Sequence, residues 1–230
     1  MKILAIETAT EACSAALLID DEVIEQYQLA PRQHTKLILP MMDALLQQAG
    51  LALTQMDALA FGRGPGAFTG VRIAAGVIQG AAFGADLPVV PVSTLAALAQ
   101  QGLECCEDPL AFAALDARMA EVYWGIYRRG PDGLAELVGS EAVTAADYVE
   151  ISDDDVNAGM GIGMGWETYR EDLSHRLGPR ITQIQAQRYP KAAEIVRLSV
   201  SAFQQGQAVP AEKALPVYLR DKVAKKRLER

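Results

Sequence analysis

The chain has 230 residues and a mass of 24.7 kDa, enough for one large domain or two small ones around a substantial core. Half of it is hydrophobic and 22 % is charged, which excludes a disordered or low-complexity protein. With a net charge of −8, no apolar run long enough for a membrane span and no signal-peptide pattern, the expectation is a cytoplasmic protein with an acidic body.

The first element is an apolar strand over residues 2–7, KILAIE, ending in Glu7. A polar turn, Thr8-Ala9-Thr10, leads to a second strand over 14–19, and Asp20-Asp21 turns the chain into a third over 22–28. Cys13, at the start of the second strand, reads as a small buried apolar residue. A helix is predicted over 34–49, with Leu37, Ile38, Met41, Leu45 and Ala49 on one stripe and Gly50 as its C-cap. Pro40 lies in its early part, so the helix either starts late or bends there.

A strand over 57–62 then runs into FGRGPGAFTGVR, residues 61–72. Its glycines and its proline fix a turn that few residues adopt, and Thr69 is placed to cap the following helix. A strand, a Gly-rich turn and a helix N-terminus invite a phosphate-loop reading. The segment has neither the G-x-x-x-x-G-K-[ST] pattern nor any lysine. It offers instead two arginines, Arg63 and Arg72. The helix over 70–85 carries Gly76, Gly80 and Gly84 four apart. Each interior glycine costs about 1 kcal/mol relative to alanine, so something must compensate. The spacing makes a groove of small residues, with Ala74, Ala81 and Ala85 nearby, suited to close approach of another helix; packing on the protein's own sheet is the alternative. A strand over 88–92 and a helix from Thr94 complete a βββαβαβα half.

The second half repeats this rhythm. Strands are predicted over 110–116, 121–128 and 134–138, a helix over 144–151, an extended stretch over 156–163 and a helix over 169–175. A strand over 181–186 and a helix over 190–205 follow. The cysteines Cys105 and Cys106 precede it without metal-ligand spacing. Each half thus begins with a strand ending in a carboxylate, Glu7 in one and Asp116 in the other. Residues 220–230 hold six basic and two acidic side chains, which leaves −12 on the rest. An acidic body argues against gripping nucleic acid by itself. The tail is either a solvated terminal helix or a contact for RNA or an acidic partner.

Two βββαβα units with an acid-tipped hairpin in each form the plan of the actin-like ATPase class, a duplicated RNase H-like α/β fold of two lobes. The expected division is 1–103 and 104–230, with the last helix packing back on the first lobe. Proteins of this class hold a nucleotide between the lobes, and their first hairpin carries Asp-x-Gly-Thr, whose glycine lets backbone N–H groups reach phosphate. Here Ala9 replaces that glycine. Glu7, Thr8, Thr10 and Asp116 are therefore candidates for a vestigial nucleotide site only. The segment Gly159 to Gly165 is either the remnant of an adenosine-binding turn or a strand edge.

Taken together, these residues resemble the TsaB (YeaZ) family. The resemblance rests on ILAIETAT, on His34 with LILPMMDALLQQAGL, on GRGPGAFTGVRIA, on PVVPVSTLAAL and on PVYLR at 216–220. It implies a cytoplasmic bacterial protein that takes part in making N6-threonylcarbamoyladenosine at position 37 of tRNA. The transfer itself is expected of a larger paralogue, TsaD, which binds metal through two histidines four apart. This chain has only His34 and His175, so no metal, cofactor or catalytic residue is assigned to it. The resemblance implies heterodimerisation with TsaD through the two N-terminal helices, docking of the ATPase TsaE, a homodimer when alone, and tRNA contact only through the complex. The expected interface comprises His34, Leu37, Ile38, Met41 and Leu45 on the first helix, with Gly70, Ile73, Ala74, Gly76, Val77, Gly80 and Ala81 on the second. Competing readings are a nucleotide-dependent phosphotransferase using Asp116 and Glu7, a metallopeptidase, which lacks H-E-x-x-H, and a direct tRNA-binding module.

Overall fold

A computed structural model describes residues 1–151 and 158–220. Two five-stranded sheets are built from successive parts of the chain. In the first, β1 (Lys2–Glu7) lies between antiparallel β2 (Ala12–Ile19) and parallel β4 (Ala58–Gly62). β3 (Glu22–Leu29) and β5 (Val89–Val92) are the edges, giving the order β3-β2-β1-β4-β5. A strand enclosed on both faces is apolar throughout rather than alternating, which is why KILAIE and ALAFG read as continuous runs. Asp20 supports the β2–β3 turn at φ 55.

The helices α1 (His34–Ala49) and α2 (Phe68–Ala85) cover the outer face of this sheet. There Leu4, Ile6, Leu59 and Phe61 pack against Ile38, Met42, Leu45, Ala74 and Ile78. Helix α1 runs through Pro40, which is exposed, and ends at Gly50 in the left-handed conformation (φ 64). Helix α2 begins at Phe68 without a side-chain cap. Thr69 lies within its first turn, and the N–H of Ala67 donates instead to the Ala9 carbonyl at 2.7 Å. By length and composition α2 is apolar enough to cross a membrane, a run the sequence reading passed over because Gly and Ala dilute it; its inner side is buried on sheet one.

The second sheet has the order β10-β9-β6-β7-β8, with β6 (Leu110–Arg118), β7 (Glu121–Arg129), β8 (Ala135–Ala145), β9 (Gly159–Ile162) and β10 (Ile181–Gln185). The helix expected over 144–151 is not formed. Val143 and Thr144, β-branched, stay in the ladder opposite Tyr123 and Val122, and only Ala146–Tyr148 makes a 3-10 turn. The helices α4 (Met164–Thr168) and α5 (Arg170–Leu177) cover one face through Trp166, Leu173 and Leu177.

The inner faces are covered by exchange. Helix α3 (Thr94–Cys105), which follows sheet one, lays Leu95, Leu98, Ala99 and Leu103 on Ala111, Ala113, Leu115 and Met160 of sheet two. Helix α6 (Ala192–Gln204), which follows sheet two, lays Ala192, Ile195 and Val196 on Ile3, Ala5, Ala58 and Ala60 of sheet one. The chain after α6 then returns along sheet one, where Val209 bridges Val89. It crosses to sheet two through Val217, whose N–H donates to the Arg63 carbonyl at 2.8 Å, and through Arg220, which pairs with Glu121.

Candidate functional site

The first acid-tipped hairpin is closed off from solvent. Glu7 is fully buried; its carboxylate accepts from the Ala9 N–H at 2.6 Å and from the Thr94 hydroxyl at 3.0 Å. Thr94 in turn accepts from the Gly64 N–H at 3.2 Å. Burial raises the Glu7 carboxyl from 4.5 to about 7, against hydrogen bonds from Ala9, Thr94 and Thr8 that lower it. A Cβ on Gly62 would overlap this carboxyl. The Gly-rich loop completes the closure. Thr8 donates to the Gly70 carbonyl at 2.8 Å, and a Cβ on Gly66 would lie 2.5 Å from the Ala9 carbonyl oxygen. The Ala9 N–H in the hairpin turn is thus engaged by the protein's own Glu7.

The second hairpin faces a cleft of about 480 Å³ between the lobes, lined among others by Thr10, Phe68, Asp116, Arg118, Tyr123, Tyr218 and Arg220. Of the four vestigial-site candidates, Thr10 and Asp116 line this cleft, whereas Glu7 and Thr8 lie in the core beside it. Asp116 is committed to neighbours. It accepts from the Arg118 N–H at 2.7 Å, from the Arg118 guanidinium at 3.0 Å and from the Tyr169 hydroxyl at 3.1 Å. The tip of this hairpin, Arg118, Met119 and Ala120, has three consecutive positive φ values (63, 58 and 61).

Gly159 to Gly165 is not a sheet edge. Strand β9 lies between β6 and β10, and its glycines make room for packing. A Cβ on Gly161 would lie 2.5 Å from the Trp166 ring, and one on Gly165 2.8 Å from Ala114. The start of the extended stretch predicted at 156–157 and residues 221–230 of the basic tail lie outside the described residues.

The α1–α2 face divides the expected interface residues. His34, Ile38, Leu45, Gly70 and Ala74 are buried within the chain itself. His34 is held there by its Nε2, 3.1 Å from the Ala12 carbonyl. These five belong to the core of the chain itself; 3.6-residue periodicity marks an apolar stripe without distinguishing its inner from its outer edge. Leu37, Met41, Ile73, Val77 and Ala81 are half-buried, and Gly76 and Gly80 are exposed. Gly76, Gly80 and Gly84 form an open track: among the described residues, a Cβ added at any of them would meet nothing within 4 Å. Beside it Phe83 is 84 % exposed.

One cluster escaped the sequence reading because its members lie 146 residues apart. At the N-terminal end of α2, the Arg72 guanidinium sits 3.5 Å from the centre of the Phe68 ring and donates to the Tyr218 hydroxyl at 2.9 Å. The C-terminal crossing segment is thereby fixed to the same helix that carries the glycine track. The segment PVYLR was visible as a motif; that it packs on α2 was not.

Residues 19–228 match the family model described as TsaD, tRNA N6-adenosine threonylcarbamoyltransferase. The Escherichia coli (strain K12) protein named tRNA threonylcarbamoyladenosine biosynthesis protein TsaB is 42 % identical, over 99 % of this chain and 98 % of that one. The Haemophilus influenzae protein of the same name is 41 % identical, over 99 % and 97 %. The solved structure of YeaZ from Pseudomonas aeruginosa is similar with a TM-score of 0.88 at 45 % identity, covering 95 % of this chain and 99 % of that one.

Proposed function

The chain belongs to the TsaB (YeaZ) family of tRNA threonylcarbamoyladenosine biosynthesis proteins, and we propose that it serves this modification as a non-catalytic subunit. In this reading the α1–α2 face pairs with a larger paralogue of the TsaD type, which carries out the transfer. A homodimer forms through the same face when the paralogue is absent, an ATPase of the TsaE type docks on the assembly, and tRNA is reached only through the complex, in the cytoplasm. Residues 1–103 supply the partner-binding lobe and 104–230 the second.

The observation that carries the proposal is the outer side of α2. Three exposed glycines each weaken the helix by about 1 kcal/mol, and none of the described residues occupies the space they leave. A close-packed partner helix gives that cost a compensation, and the half-buried Leu37, Met41, Ile73 and Val77 give the contact its apolar rim. The engagement of Glu7 and Asp116 with their own neighbours supports the non-catalytic part and weighs against a phosphotransferase.

The deciding experiment is threonylcarbamoyl transfer to tRNA in a reconstituted mixture. It is run with this chain alone, with the TsaD-type subunit and remaining components without it, and with the full set. Activity only in the full set is the expected result. Transfer by this chain alone overturns the non-catalytic reading. Gly80→Leu and Met41→Asp are expected to reduce association and full-set activity together while leaving the thermal transition of the monomer in place; unchanged association in both variants refutes the helix-face assignment.

A further inference from the structure

Helix α6 reaches sheet one without a cap of its own. Lys191 at its N-cap position makes no capping bond. Two side chains of the first lobe take that role. The Ala192 N–H donates to the Ser14 hydroxyl of β2 at 2.9 Å, and the Ala193 N–H donates to the Glu25 carboxylate of β3 at 2.9 Å. The first turn of a helix leaves its N–H groups without intrahelical partners, so these two bonds add a polar fastening to the apolar packing of α6 on sheet one.

The next residue is Glu194, only 5 % exposed. Its Oε1 lies 3.3 Å from the Arg197 guanidinium, while its Oε2 is buried with no hydrogen-bond partner among the described residues. Arg197 is shared, since it also lies 3.5 Å from Glu104 at the end of α3. The charges facing Glu194 are thus Glu25 from β3, Glu104 from α3 and Arg197 from its own helix, while Lys191 and Arg197 act on Glu25. Two carboxylates and one shared guanidinium surround a third carboxyl in a nearly dry place. Burial first, then the Glu25 charge, raises Glu194 from 4.5 to about 7, and burial raises Glu25 as well. An ionised Glu194 leaves a buried oxygen charged and unpaired, which costs free energy until the turn opens to water.

We propose that the docked first turn of α6 is a proton-dependent latch between the two halves of the chain, tightest when Glu194 is protonated and loosened when it ionises. Glu25 acts as the catch, holding the Ala193 N–H, and Glu194 is the group whose proton sets the strength of the hold. The latched form binds the proton more tightly than the opened form. Opening therefore grows as pH rises from about 5 to about 7, by up to about tenfold per pH unit, and levels off above that.

The test is amide hydrogen exchange on the whole chain between pH 5 and 8, corrected for intrinsic rates and read at Ala192, Ala193 and Ile195. Protection at these amides is expected to fall up to about a hundredfold by pH 7 in the wild type. In Glu194→Gln it is expected to stay at the pH 5 level throughout. Constant wild-type protection, or the same slope in Glu194→Gln, overturns the latch. Carboxyl-carbon NMR titration of the wild type gives an answer independent of any variant. A Glu194 midpoint near neutrality, coinciding with the loss of protection, supports the proposal; a midpoint below 5 overturns it.

Discussion

Two of the chain's glycine-rich stretches have opposite physical meanings. Around β9 and the start of α4, glycine is required by what surrounds it: a ring at Gly161 and the backbone of Ala114 at Gly163 and Gly165 occupy the positions a Cβ would take. Along α2, glycine stands where the chain imposes no requirement, since the space at Gly76, Gly80 and Gly84 is open. The first set is explained by the folded chain. The second is a cost that the described residues do not offset, and the proposed partner helix is what would offset it. Spacing alone did not separate the two; the surroundings of the missing side chain did.

The sharpest way to break this contrast is substitution by alanine in both places. Gly163→Ala has the largest expected effect, because a positive φ of 106 and overlap with Ala114 and Leu98 act together. A loss of about 3 kcal/mol or more in denaturant unfolding is expected, and a neutral result would show that the filled side is not filled.

A second check concerns Gly62, whose missing side chain makes room for the Glu7 carboxyl. Glu7 and Glu194 are both raised from 4.5 to about 7. The folded state therefore binds these protons more tightly than the unfolded state. Their contribution is fully present below pH 4.5 and is lost as pH rises to about 7, on the order of 2–3 kcal/mol for each group. Glu7→Gln is expected to flatten part of that slope in unfolding curves taken at several pH values; an unaltered slope would mean that Glu7 is not the proton holder.

Gly76→Ala and Gly80→Ala carry the opposite sign. Each is expected to stabilise the dilute chain by about 1 kcal/mol while weakening association, as measured by thermal unfolding beside sedimentation. Destabilisation of the dilute chain would place α2 in the filled class and end the contrast. The smallest effect expected is that of Arg72→Ala, a loss of about 0.5–1 kcal/mol from its stacking on Phe68. It is read as earlier proteolytic cleavage after Ala214, where the crossing segment is released.

Local features were the legible ones. The strands of the first half, the αL glycine that ends α1 and the loop between β4 and α2 follow from short-range chemistry, and the family was visible in GRGPGAFTGVR. Features set by distant parts of the chain were not. Glu7 and Asp116 look alike in sequence, each closing an apolar strand, yet one is sealed by Thr94 and the Gly-rich loop while the other opens on the cleft. Helix 144–151 was misread because the partner that keeps Val143 and Thr144 extended, β7, is specified some twenty residues upstream. On α1 and α2 the periodicity found the apolar stripe but not its inner edge, so five of the interface candidates lie buried within the chain itself.

The exchange of α3 and α6 between the sheets has a consequence for motion. In a two-lobed protein whose halves are each self-sufficient, a hinge can swing and leave both cores intact. Here a swing would peel α3 from Leu115 and Met160 or α6 from Ile3 and Ala60, exposing the inside of whichever lobe lost its cover. Parting the halves beyond a local opening would therefore cost buried apolar surface in both cores. The chain is thus expected to melt in one cooperative step, with its two sheets held at a fixed angle by the helices they exchange.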